Sequence, residues 1–184
     1  DACSNTCTVN SAPEAEPNGT PADADTAGIV INGDIMLRGA STPIAALDVF
    51  RVEVATATVV RFETFVGGMT CDSTTTTLRL LDSSGTEITN DSTPSFNMSG
   101  INGCAAMVFG LSPGTYYIRV EETGTNAAIP AYFLEVDFAT DTGSETEPNE
   151  TVAQANANLS GMNNVWVSGD HAVNTDADTY VITI

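Results

Sequence analysis

The side chains best placed to do chemistry are oxygen ligands. Glu14-Ala15-Glu16-Pro17-Asn18 and Glu145-Thr146-Glu147-Pro148-Asn149 each set two carboxylates and an amide at alternating positions. On an extended chain, alternate side chains point to one side. Such a row suits a hard cation such as calcium, which takes about six to eight oxygen ligands. A solvated acidic linker stiffened by proline has the same composition, and the residues alone leave that reading open. Nitrogen and sulfur ligands are scarce. The single histidine, His171, sits beside Asp170 and near Ser168. Three neighbours in a turn do not make a catalytic triad, whose members the fold assembles from separate places. His171 therefore reads as an exposed loop residue, and no catalytic set emerges.

The four cysteines are Cys3, Cys7, Cys71 and Cys104. Their even number, with no histidine nearby, argues against zinc and for disulfides in an oxidising compartment. Cys71 and Cys104 follow two separate strand regions and are expected to bond to each other. That bond would close a loop of about 34 residues and stabilise by roughly 3–4 kcal/mol in the chain-entropy model. Cys3 and Cys7 pair either with each other or with cysteines upstream.

Charge narrows the partners. The 184 residues hold 24 acidic groups against five basic ones, for a net charge of −19. All five are arginines: Arg38, Arg51, Arg61, Arg79 and Arg119. Such a chain repels phosphate backbones and anionic lipid heads, which argues against nucleic acid and membrane-surface partners. No apolar run approaches the roughly 20 residues needed to cross a bilayer, so no membrane insertion is expected.

The elements that must position these groups are strands. Phe50, Val52 and Val54 alternate with Arg51 and Glu53; Val60 and Phe62 alternate with Arg61 and Glu63. Leu78 and Leu80 flank Arg79. Tyr116, Ile118 and Val120 alternate with Tyr117 and Arg119, and Tyr132, Leu134, Val136 and Phe138 with Phe133, Glu135 and Asp137. This period of two marks half-buried antiparallel strands. Gly67-Gly68, Asp82-Ser83-Ser84-Gly85 and Ser112-Pro113-Gly114 supply the turns. No helical period persists for three turns. Many short strands with such turns predict an all-β sandwich or barrel. Tyr117, Phe133 and Trp166 fall on outward faces, where they bind a fibrous ligand or lie under a second sheet.

The chain also repeats itself. Glu14–Asn18 returns 131 residues later as Glu145–Asn149. The strand Asp48–Val54 returns 130 residues later as Asp178–Ile184, and Gly39 pairs with Gly169 at the same spacing. The chain is therefore read as one module over residues 13–140, the N-terminal part of a second over 141–184, and the tail of a preceding repeat or a linker over 1–12. It opens at Asp1-Ala2-Cys3 and stops within a strand pattern, so a piece of a longer polypeptide is expected.

These residues resemble the bacterial pre-peptidase C-terminal domain family, relatives of the collagen-binding domains of clostridial collagenases. The marks are Glu-x-Glu-Pro-Asn, Asp48-Val49-Phe50, the run Thr76-Thr77-Leu78-Arg79-Leu80-Leu81-Asp82-Ser83-Ser84-Gly85 and the run Leu111-Ser112-Pro113-Gly114-Thr115-Tyr116-Tyr117-Ile118-Arg119-Val120. Residues 1–9 resemble the tail of a cysteine-rich repeat of myxobacterial exoproteins. The first resemblance implies an antiparallel, jelly-roll-like β-sandwich attached to secreted hydrolases and surface proteins. It also implies a calcium site from Glu14, Glu16, Asn18 and Asp48 in the first module, and from Glu145, Glu147, Asn149, Glu150, Asp176 and Asp178 in the second. Gly19 and Ala45-Ala46 stand where relatives often carry further acidic or amide ligands. The function expected is a non-catalytic, secreted module serving adhesion, substrate binding or secretion. Its partner is then an extracellular protein or polysaccharide. The alternative is a structural subunit of an extracellular fibre or surface layer, assembled with other copies of itself by strand complementation.

Overall fold

A computed structural model describes residues 11–66, 76–92, 104–139, 141–144, 147–155, 165–168 and 177–180. The chain divides into two compact units, with the boundary between Phe138 and Ala139.

The first unit is a sandwich of two five-stranded sheets. One holds β1 (Ala12–Pro13), β3 (Ile35–Ser41), β10 (Ile129–Phe138), β5 (Thr58–Val66) and β8 (Ala106–Leu111), in that spatial order. The other holds β2 (Val30–Ile31), β4 (Leu47–Val54), β9 (Gly114–Glu122), β6 (Thr76–Leu81) and β7 (Glu87–Asp91). The chain changes sheet at every connection except that between β6 and β7. The pairing is antiparallel throughout except at two edges, where β1 runs parallel to β3 and β2 parallel to β4. The expected all-β, antiparallel sandwich is what the structure shows, with parallel pairing added at these two edges. Each exception is a strand of only two residues, below the reach of a periodicity reading.

Period two builds the core. Leu37, Val60, Phe62, Leu134 and Val136 from one sheet meet Phe50, Val52, Leu78, Leu80, Ile118 and Val120 from the other, all buried. Burying one such side chain is worth about 1.5–3 kcal/mol. Near Cys104 the sheets are also bridged by polar groups. Thr64 and Thr76, both buried, share a hydrogen bond of 2.5 Å, and the Ala105 amide donates to both hydroxyls.

Tyr117 departs from the alternation. It faces away from the core yet is buried, while inward-facing Tyr116 is only half-buried. The cause is a helix, α1 (Pro21–Ala27), which packs Ala24 over Val49, Leu81 and Tyr117 on the outer face. The Tyr117 hydroxyl donates to Asp25 Oδ1 at 2.8 Å. The helix is short but well bounded. Thr20 caps it by accepting from the Asp23 amide at 3.2 Å, proline opens it, and Gly28 closes it at φ +80°, a left-handed conformation that glycine adopts without strain. Elsewhere the outer faces carry ion pairs, such as Arg61 with Glu63 and Asp137, and Arg79 with Glu87 and Glu121. The pair of Arg79 with Glu87, nearest of these to solvent, adds at most about 1 kcal/mol, whereas Glu121 is buried beneath its partner.

In the second unit, β11 (Asp141–Ser144) pairs in parallel with β12 (Val165–Ser168). Its register matches the first unit. Gly143 faces Val167 and Ser144 faces Ser168, as Ala12 faces Leu37 and Pro13 faces Arg38, offset by 131 and 130 residues.

Candidate metal centre

Residues 14–18 are stitched to both sheets of the first unit. The Glu14 amide donates to the Arg38 carbonyl at 2.9 Å, and Glu14 Oε1 accepts from the Ala40 amide at 2.6 Å. Both partners lie in β3. The Asn18 carbonyl accepts from the Val49 amide of β4 at 2.7 Å. Within the segment, the Asn18 amide donates to Glu16 Oε2 at 3.0 Å, and Asn18 Nδ2 to Glu14 Oε2 at 3.2 Å. The Glu16–Pro17 peptide is cis.

This stitching brings Glu14 and Glu16 against Asp48, the second residue of β4. One carboxylate oxygen from each lies within 4.8 Å of the other two. Asp48 is 1% exposed, and its Oδ2 accepts from the buried Tyr132 hydroxyl of β10 at 2.8 Å. The phenol occupies space that a side chain at residue 39 would fill. A Cβ on Gly39 would sit 2.4 Å from Tyr132 Cζ and Oη, and 2.8 Å from Glu14 Oε2.

The electrostatics are unbalanced. No arginine pairs with any of the three carboxylates among the described residues. Burial pushes the Asp48 carboxyl up to about 7, opposed by the Tyr132 hydrogen bond and reinforced by the charges of Glu14 and Glu16. Burial also raises Glu14, against the Ala40 and Asn18 hydrogen bonds. Burial, then the Asp48 and Glu14 charges, hold the Tyr132 hydroxyl well above its ordinary range, so it stays a donor. Asn18 is 1% exposed, and its Oδ1 has no hydrogen-bond partner among the described residues. Buried acceptors are ordinarily satisfied. Three converging carboxylates and one unsatisfied amide oxygen form a hard, all-oxygen donor set, which fits calcium rather than a nitrogen- or sulfur-seeking metal.

The structure thus brings together Glu14, Glu16, Asn18 and Asp48. In the second unit Glu147 and Glu150 are exposed, Asn149 is buried and Asp178 half-buried. The Asn149 amide donates to Glu147 Oε2 at 3.1 Å, the Thr179 amide to the Asn149 carbonyl at 2.9 Å, and Glu147–Pro148 is cis. Each feature has its counterpart in residues 16–18 and 49. Glu145, Asp176 and His171 lie outside the described residues, as do Cys3, Cys7 and Cys71. Cys104 is disulfide-bonded, and its pairing with Cys71 stays an expectation. The Trp166 side chain is likewise not described, and Phe133 is half-buried.

Tyr132 and Gly39 complete the site and were not among the expected ligands. Tyr132 reads as one more inward residue of β10. A buried tyrosine hydroxyl needs a partner, which is the signal that points to a buried acceptor nearby.

No family model and no curated protein matches the chain. Among solved structures, it is similar to the pre-peptidase C-terminal domain of a collagenase from Bacillus anthracis, at 18% identity and TM-score 0.45, covering 59% of this chain and 92% of that one. It is also similar to PliG of Aeromonas hydrophila, a periplasmic inhibitor of g-type lysozyme, at 11% identity and TM-score 0.38, covering 59% of this chain and 96% of that one. An isomalto-dextranase of Arthrobacter globiformis matches at 18% identity and TM-score 0.31, over 50% of this chain and 16% of its own length. At these values the likeness is one of strand arrangement, and the chemistry of the site stands on the residues themselves.

Proposed function

We propose that this chain is a non-catalytic, secreted β-sandwich module of a larger bacterial exoprotein, and that calcium fastens its N-terminal segment to the sandwich. The module serves adhesion, substrate binding or secretion, with an extracellular protein or polysaccharide as partner. The observation that carries the calcium reading is the meeting of Glu14, Glu16 and Asp48 within 4.8 Å, beside an unsatisfied Asn18 oxygen and without a compensating arginine. Glu147, Asn149 and Asp178 offer the second module a similar set.

A ligand that binds only the folded state stabilises it by mass action, by about 2.7 kcal/mol at a hundredfold excess over its dissociation constant. Millimolar calcium should therefore raise the melting temperature, and calorimetric titration should detect binding that Glu16→Ala weakens. An unchanged melting curve between chelator and calcium removes the metal from the proposal. The adhesive role is tested separately, by co-sedimentation with insoluble extracellular proteins and polysaccharides. Failure to deplete the protein on any of them counts against it.

A further inference from the structure

We propose that Asn32-Gly33 is a site of spontaneous covalent modification, at which the Gly33 backbone nitrogen closes on the Asn32 side chain. The nitrogen attacks the side-chain amide carbon, a C–N bond forms and ammonia leaves, giving a succinimide. Water then opens that ring to aspartate or isoaspartate. No oxidant, reductant or enzyme is required.

Three features of the chain favour the step. The dipeptide lies between β2 and β3, where the chain crosses from one sheet to the other, and Asn32 is exposed. Among the described residues, neither the Asn32 side chain nor the Gly33 amide has a hydrogen-bond partner, and both residues lie outside the strand pairings. A Cβ built on Gly33 meets nothing within 4 Å, so the backbone has room to turn toward the side chain. Glycine also removes the steric restriction that any other residue places on that turn.

Asn18-Gly19 is the same dipeptide with the opposite prospects. Asn18 is 1% exposed, its Nδ2 is held by Glu14 Oε2, and its carbonyl is held by the Val49 amide. The amide carbon that would have to be attacked is fixed in place. Asn102-Gly103 lies outside the described residues.

Reaction at Asn32 has a structural cost. Isoaspartate inserts a methylene into the main chain between Ile31 and Asp34. Ile31 is 1% exposed in the core, and Asp34 Oδ1 accepts from the Phe138 amide at 2.7 Å. β2 is joined to β4 by only two residue pairs, so it has little with which to resist the insertion.

The test is to age the full chain at physiological temperature and mildly alkaline pH, natively and in urea, then map peptides by mass and label isoaspartate with an isoaspartyl methyltransferase. In urea, Asn32 and Asn18 should react at similar rates. In the native protein Asn32 should keep a rate within about tenfold of its unfolded rate, while Asn18 is slowed by more than about tenfold, because only Asn18 is held by tertiary structure. Gly33→Ala should slow Asn32 by about tenfold or more while leaving the melting temperature unchanged, since its methyl meets open space. A native Asn32 as inert as Asn18, or a Gly33→Ala chain that reacts as fast as the parent, overturns the proposal.

Discussion

Asp48→Asn keeps the shape of a buried side chain and removes its charge from a cluster that holds no arginine. The Tyr132 hydroxyl can still donate to the asparagine oxygen. Without a cation, the native Asp48 carboxyl is pushed up to about 7 from an ordinary 3.8. The folded chain therefore binds this proton more tightly than the unfolded chain does. Its contribution is fully favourable below 3.8 and is lost as pH rises toward 7. Each pH unit is worth about 1.4 kcal/mol, so the ceiling on the loss is about 4 kcal/mol. Relaxation and a high effective dielectric reduce this to about 1–3 kcal/mol. At pH 8 in chelator, Asp48→Asn should accordingly melt higher than the parent. The rise should be about 3–9 °C, at roughly 3 °C per kcal/mol for a domain of this size. At pH 4 the two should melt together. Calcium should reverse the order at pH 8, because the parent gains an anionic ligand that the variant lacks. Scanning calorimetry of both proteins at the two pH values, with chelator and with calcium, reads all of this. A variant that melts lower than the parent at pH 8 in chelator refutes the electrostatic reasoning, and so does one that keeps the parent's full calcium gain.

Gly39→Ala forces a methyl to 2.4 Å from the Tyr132 ring. It should cost about 1–3 kcal/mol by urea denaturation and blunt the calcium response, and a wild-type midpoint would contradict it. Tyr117→Phe removes the bond to Asp25 while leaving the ring beneath α1. The expected loss is about 1 kcal/mol by the same measurement, and a larger one would mean that the hydroxyl anchors the helix. Digestion without reductant should release one linked peptide joining Cys71 to Cys104. Reduction should lower stability by roughly 3–4 kcal/mol, and alkylation of Cys71 and Cys104 in the unreduced native protein would defeat the pairing.

The core was legible because period-two alternation names inward residues directly: Phe50, Val52, Phe62, Leu78, Leu80, Ile118, Val120, Leu134 and Val136 are all buried. Tyr117 misled because alternation registers a face and not what covers it. The cover is α1, too short for a helical period, though Thr20-Pro21 and Gly28 frame it as cap signals. β1 and β2 escaped notice because two residues cannot alternate. At the site, Glu14, Glu16 and Asn18 share a local motif, and Asp48 followed from resemblance. Tyr132 reaches Asp48 from 84 residues away, and Gly39 acts through its closeness to Tyr132 and Glu14, which no local pattern encodes.

β1 and β10 flank β3 on opposite sides, one parallel to it and the other antiparallel. Residue 12 faces Leu37 and residue 136 faces Ile35, so the chain enters and leaves the sandwich at the same end of one sheet. The two points are separated by two strand spacings, about 10 Å. Tension carried along the polypeptide would thus load three neighbouring strands first, and reach the second sheet through the residue 14–18 segment and its bond to Val49 of β4. It would peel hydrogen bonds open one after another instead of shearing them together. β1, with two residue pairs, is the weakest join in that line. The clamp at residues 14–18 lies directly behind it, so a cation held there would act as a rivet. It would set how far an applied force can travel into the module before the core has to resist it.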